Sequence, residues 1–143
     1  MIGMPMPDMK PLLLDTCAAI WFFEGSNELS SQTIQLIDDA VHRNEILVSA
    51  ISLWEVAQLK SQNRVSLSLP VKEWLNQLVA IPGLSLLPIT PEIASLSCEL
   101  QGFHKDPADR IIVASALISQ AKLVTRDKLM IKYPKLKNLI ESI

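Results

Sequence analysis

Four acidic residues stand where the chain changes from one element to the next: Asp15, Glu55, Asp109 and Asp127. Asp15 directly follows the apolar run Pro11-Leu12-Leu13-Leu14, and only Thr125 and Arg126 separate Asp127 from the run Lys122-Leu123-Val124. Glu55 and Asp109 each fall near the start of a stretch with helical character. Carboxylates brought together in this way repel one another unless a cation lies between them. They are hard oxygen ligands of the kind that Mg²⁺ or Mn²⁺ takes. Such an ion can activate a water and stabilise charge on a phosphoryl oxygen during in-line displacement. The chemistry to test is therefore metal-assisted hydrolysis of a phosphate ester.

Each acid also has an ordinary structural use. Ser52-x-x-Glu55 fits a capping box, with Ser52 opening the helix. In Asp106-Pro107-Ala108-Asp109-Arg110, Asp106 is expected as N-cap, Pro107 as the first helical residue and Asp109 in the first turn, where it complements the helix dipole. Asp127 could cap a short last helix. Asp15 has no obvious cap spacing. Thr16, Ser52 and Thr125 stand within three residues of these acids, and their hydroxyls could orient a carboxylate or serve only as turn and capping groups. His104 and Arg110 could contact phosphate nearby.

A shared position in one fold is what joins the acids. Short apolar runs at 11–14, 45–49, 84–89 and 122–125 read as strands. Helices are expected over 17–23, 31–42, 52–61, 70–80, 91–100 and 107–118, with a short one after Asp127 and a brief edge strand within 136–140. The helix after Pro107 is apolar nearly all round, so it is expected to be buried. Strand and helix alternate, which predicts an α/β fold: an open, mostly parallel sheet of four to five strands with helices on both faces. In such sheets ligands bind beyond the carboxyl ends of the strands, and all four acids are expected at that end. No glycine-rich nucleotide cradle is present.

Composition sets the remaining limits. The 143 residues, 49% hydrophobic and 20% charged, suit one domain with a sizeable core, preceded by a loose lead-in over 1–10. No apolar run reaches the ~20 residues of a membrane helix, and the start does not read as a signal peptide, so a cytoplasmic location is expected. Cys17 and Cys98 sit among apolar neighbours and are expected in the core, and two histidines exclude a multi-histidine metal site. Net charge is −2, but Lys122 to Lys137 is locally basic and could form a phosphate-contacting rim.

The pieces Leu12-Leu13-Leu14-Asp15-Thr16, Val48-Ser49-Ala50-Ile51-Ser52-Leu53-Trp54-Glu55-Val56-Ala57, Asp106 to Ala116, and Leu123-Val124-Thr125-Arg126-Asp127 occur in an order that resembles the PIN-domain ribonucleases, specifically the VapC-type toxins. The lead-in is longer than usual for that family. The resemblance implies a PIN-like fold and an acidic Mg²⁺ (or Mn²⁺) site made of Asp15, Glu55, Asp109 and Asp127, with Asp106 a cap. It further implies an endoribonuclease toxin that cleaves RNA such as tRNA or rRNA as a homodimer, neutralised by a cognate antitoxin. Arg110, Arg126, Lys105 and Lys128 would then contact RNA phosphates. Alternatives are a metal-dependent DNA nuclease of related fold and an inert PIN-like module for protein interaction or RNA binding. A phospho-receiver domain is disfavoured, because only Asp15, and no adjacent pair of acids, follows the first strand.

Overall fold

The computed structural model describes residues 9–143, so most of the expected lead-in lies outside the described residues. Five strands form one sheet in the order β3-β2-β1-β4-β5, every neighbour parallel. They are β1 (Leu12–Leu14), β2 (Ile46–Ser49), β3 (Leu84–Leu87), β4 (Lys122–Thr125) and β5 (Ile140–Ser142). The helices are α1 (Thr16–Glu24), α2 (Ser31–His42), α3 (Ala50–Ser61), α4 (Val71–Val79), α5 (Pro91–Glu99), α6 (Pro107–Ser119) and α7 (Lys128–Ile131).

Strand β1 is the middle of the sheet, which explains why its three leucines are all buried. Alternation along the strand sends Leu12 and Leu14 into one core, with Ile37, Val56, Trp74 and Leu78. It sends Leu13 into the other, with Ile112, Val113, Ala116 and Met130. Helices thus cover both faces, and a continuous apolar run is the sequence signature this demands. As expected, α6 is embedded, with no fully exposed residue from Ala108 to Ser119.

One close approach fixes the other end of the sheet. Gly83, just before β3, has φ of 89°, and a Cβ there would lie 2.2 Å from the Val41 carbonyl oxygen. Only glycine meets both demands.

Two expectations shift. The edge strand begins at Ile140, whereas Leu136 ends a 3-10 turn (Pro134–Leu136) and is fully buried. Pro134 favours that turn by fixing φ. Helix α3 begins at Ala50, two residues earlier than Ser52, with Ser49 as its N-cap accepting from the Ile51 N–H. The chain passes from β2 into α3 with no loop between.

Candidate metal centre

Chain order reverses between β1, which pairs with β2 on one side, and β4 on the other. Such a switch point leaves a crevice beyond the strand ends. Asp15 and Asp127 follow the two strands that flank it. A cavity of about 430 Å³ opens there, and its walls include Asp15, Glu55, Asp106, Asp109 and Asp127.

The acids are held by different devices. Asp15, only 8% exposed, is the N-cap of α1: Oδ1 accepts from the Ala18 N–H at 2.8 Å, and Oδ2 accepts from the Thr125 hydroxyl at 2.6 Å. The same hydroxyl oxygen accepts from the Asp127 N–H at 3.0 Å. Thr125 therefore couples the acids after β1 and β4. Asp127 caps α7, its Oδ1 accepting from the N–H groups of Leu129 and Met130, so its Oδ2 carries no capping bond.

Glu55 accepts from the Thr16 hydroxyl. With that proton committed, the Ser52 hydroxyl, 2.9 Å away, donates to Thr16 Oγ1. Ser52 is wholly buried and lies inside α3, so the capping-box expectation for Ser52 and Glu55 is corrected: Glu55 sits on the second turn. The three hydroxyls expected near the acids are all buried: Thr16 and Ser52 bond into the Glu55 relay, and Thr125 bonds to Asp15 and Asp127.

Asp106 is the second correction. It occupies the N-cap position of α6, yet its side chain makes no capping hydrogen bond. Oxygens of Glu55, Asp106 and Asp109 instead lie within 4.8 Å of one another. Asp109 also has His104 Nε2 at 3.1 Å from Oδ2.

Electrostatics record the crowding. Burial, opposed by its hydrogen bonds, pushes the Asp15 carboxyl above the usual range. Burial likewise raises Glu55, with Asp106 and Asp15 adding to it. Asp109 is pushed up to about 8, by burial first and then by Asp106. Among the described residues no lysine or arginine forms an ion pair with any of the five acids. An all-carboxylate donor set, partly buried and lacking cationic partners, fits a hard divalent ion.

The expected phosphate contacts fare differently. Arg110 donates from Nε to the Ser97 carbonyl, from Nη1 to those of Phe103 and His104, and from Nη2 to that of Leu100. With four of its N–H groups bonded to backbone, its role is to fasten the α5–α6 loop. Arg126 lines the cavity but is bonded to Glu28 and to the Ile143 carbonyl, 4.5 Å above the Trp21 ring centroid. Lys105 lines a separate cleft with Ser97, Pro107 and Arg110, and Lys128 is exposed on α7. Arg64, which follows α3, also lines the acidic cavity. Its position in a turn carries no sequence signal. Both cysteines are exposed, contrary to the core expectation. Cys17 sits at the cavity wall, where desolvation and four carboxylates push its thiol up to about 11.

Comparison with known proteins bears on the fold and the family. The profile of the PIN domain matches residues 12–136. The chain is similar to Ribonuclease VapC22 of Mycobacterium tuberculosis, with 38% identity over 121 residues, or 84% of this chain and 89% of that protein. Its fold is similar to that in the crystal structure of VapBC2 from Rickettsia felis bound to a promoter DNA fragment, at TM-score 0.67 and 18% identity, covering 92% of this chain and 97% of that one. DNA-bound VapBC from Salmonella typhimurium matches at TM-score 0.65 and 20% identity, covering 94% and 98%. With the profile spanning nearly the whole sheet and its acids, the chain belongs to the PIN-domain family, in its VapC branch.

Proposed function

We propose that this protein is a metal-dependent endoribonuclease toxin whose acidic cavity hydrolyses RNA phosphodiesters and whose activity a cognate antitoxin restrains. The observation that carries the reading is the convergence of five carboxylates on one cavity with, among the described residues, no lysine or arginine ion pair. An anionic phosphodiester cannot approach such a cavity without a cation between them. The similarity to a VapC ribonuclease supports RNA as the substrate, and the toxin–antitoxin complexes among the fold neighbours support the protein partner.

Asp15, Glu55, Asp109 and Asp127 would hold Mg²⁺ or Mn²⁺, and Asp106, with an oxygen within 4.8 Å of Glu55 and Asp109, could join those two. A bound divalent ion would supply positive charge for the phosphoryl oxygens and make a water more acidic. Around it the chain's own groups set the geometry. Thr125 fixes Asp15 against rotation and ties it to the β4 end, while Ser52 and Thr16 hold Glu55 through a relay of hydroxyls. Asp127 keeps one oxygen free of its helix cap. Arg64 stands at the cavity wall to meet flanking phosphates, Arg126 would join it by exchanging its bonds to Glu28, and Lys105 and Lys128 lie on the surface beyond it. We take the working form to be a cytoplasmic homodimer.

The test is cleavage of total RNA and a tRNA pool with and without EDTA, by wild type and Asp15→Asn. Activity should vanish with chelator and with the substitution, while circular dichroism of the variant stays native. Undiminished cleavage by Asp15→Asn, or cleavage that ignores EDTA, would refute the mechanism.

A further inference from the structure

Trp54 presents an anomaly. It is 54% exposed, although it lies in the middle of α3, one residue before Glu55. Successive residues on a helix point about 100° apart. Glu55 therefore turns to the acidic cavity, and Trp54 turns to a neighbouring cleft of about 540 Å³. Ile51, Gln58, Pro107 and Ala108 also line that cleft, and Glu55 and Asp106 form walls common to both spaces. Among the described residues no lysine or arginine lines the cleft. Its chemistry is thus an apolar floor with an exposed indole, one side-chain amide, and carboxylates at the boundary.

We propose that this cleft is a nucleobase subsite, in which the base next to the scissile phosphate stacks on Trp54. The proposal rests on the ribonuclease reading above. Continuity with the acidic cavity supports it: a nucleotide whose phosphate is bridged to the carboxylates by a divalent ion has its base within reach of the space that shares the Glu55 and Asp106 walls. Charge favours the same occupant. Two carboxylates and no cation repel a phosphate, whereas a neutral base brings a flat apolar face to the indole. Gln58, one turn after Trp54 on the same face, offers a donor and an acceptor to the base edge, and the carboxylates accept from an exocyclic amino group. Base–aromatic stacking tolerates many sequences, so the subsite would set affinity and register more than strict identity.

The test uses full-length protein and two readouts. In the first, the cleavage-deficient Asp15→Asn protein is titrated with hexa-adenylate in Mg²⁺ while tryptophan emission is followed. We expect quenching that falls sharply when Trp54→Phe is added; Trp74 is fully buried, and any remainder would come from Trp21, which lines the acidic cavity. In the second, otherwise wild-type Trp54→Ala should lower kcat/KM on total tRNA by roughly 10-fold or more, and Trp54→Phe should recover most of it. Quenching undiminished by Trp54→Phe, or an unchanged kcat/KM for Trp54→Ala in a preparation whose wild type cleaves, overturns the subsite and leaves the nuclease reading intact. If wild type neither cleaves nor binds hexa-adenylate, both fall. A change from dimer to monomer in Trp54→Ala by light scattering would assign the indole to a contact between copies of this chain, and would also overturn the subsite.

Discussion

Replacing Arg110 with methionine separates a fastener from a phosphate ligand. The substitution keeps an apolar stem and deletes a guanidinium that donates to the carbonyls of Ser97, Leu100, Phe103 and His104. Two of these carbonyls belong to the C-terminal end of α5, where helical carbonyls lack partners and positive charge is favourable. Hydrogen bonds to a charged group contribute about 1.5–3 kcal/mol each. A simple sum would overshoot, because Gln101, Gly102 and Lys105 are exposed and water reaches the loop once the side chain is gone. A net loss of ~3 kcal/mol is the expected scale. For a domain of this length that corresponds to a fall in Tm of roughly 10 °C. Calorimetry in EDTA would measure it without a contribution from bound metal. At a temperature below both transitions, the affinity of Asp15→Asn protein for RNA should change by no more than about twofold on adding Arg110→Met, a shift below ~0.5 kcal/mol. A Tm within about 2 °C of wild type, together with a clear loss of RNA affinity, would refute the fastening argument and return Arg110 to the phosphate-binding set.

Two further outcomes follow from the cavity. Thr125→Val keeps the shape but removes the hydroxyl that bridges Asp15 Oδ2 and the Asp127 N–H; titration calorimetry with Mn²⁺ should show affinity lowered about 10-fold or more, and unchanged affinity would mean that the hydroxyl does not position Asp15. The raised carboxyls make stability depend on pH. Unfolded carboxyls lose their protons near pH 4, whereas those of Asp15, Glu55 and Asp109 hold theirs longer, Asp109 to about 8. Across that window the folded state binds more protons, so the metal-free protein should lose stability as pH rises. Mg²⁺ should accordingly raise Tm more at about pH 8.5 than at about pH 5, and the opposite order in a thermal-shift series would contradict the crowding of these acids.

The sequence made some of this visible and hid the rest for identifiable reasons. The strands β1, β2 and β4 are continuous apolar runs because both sheet faces are covered, and once those runs are placed, the positions of Asp15 and Asp127 follow. Glu55 is less legible. Ser52-x-x-Glu55 has the pattern of a capping box, and only the direct passage from β2 into α3 moves the cap to Ser49. Asp106 has the residue type and backbone conformation of a cap, and sequence does not reveal that its side chain turns towards Glu55 and Asp109 instead. Arg110 next to an acidic motif suggests phosphate, while the carbonyls that hold it lie up to thirteen residues earlier, in a helix end and a loop. Cys17 has apolar neighbours in sequence, but the turn of α1 faces it to the cavity. In each case local pattern predicted the element, and the direction of one side chain decided the role.

The hydrogen bond from Thr125 to Asp15 spans 110 residues, which gives the protein a timetable. β1, β2 and β3 can pair among themselves, but the other edge of β1 stays open until β4 arrives. Contacts this distant form late, because closing a long loop costs entropy before the contact returns it. On a chain made from its N-terminus, β4 is also the last strand but one to emerge. The partly made sheet therefore carries Asp15 without the hydroxyl that orients it and without Asp127. The acid cluster is completed only when β4 docks, and a molecule arrested before that holds β1 to β3 with Asp127 still apart from Asp15.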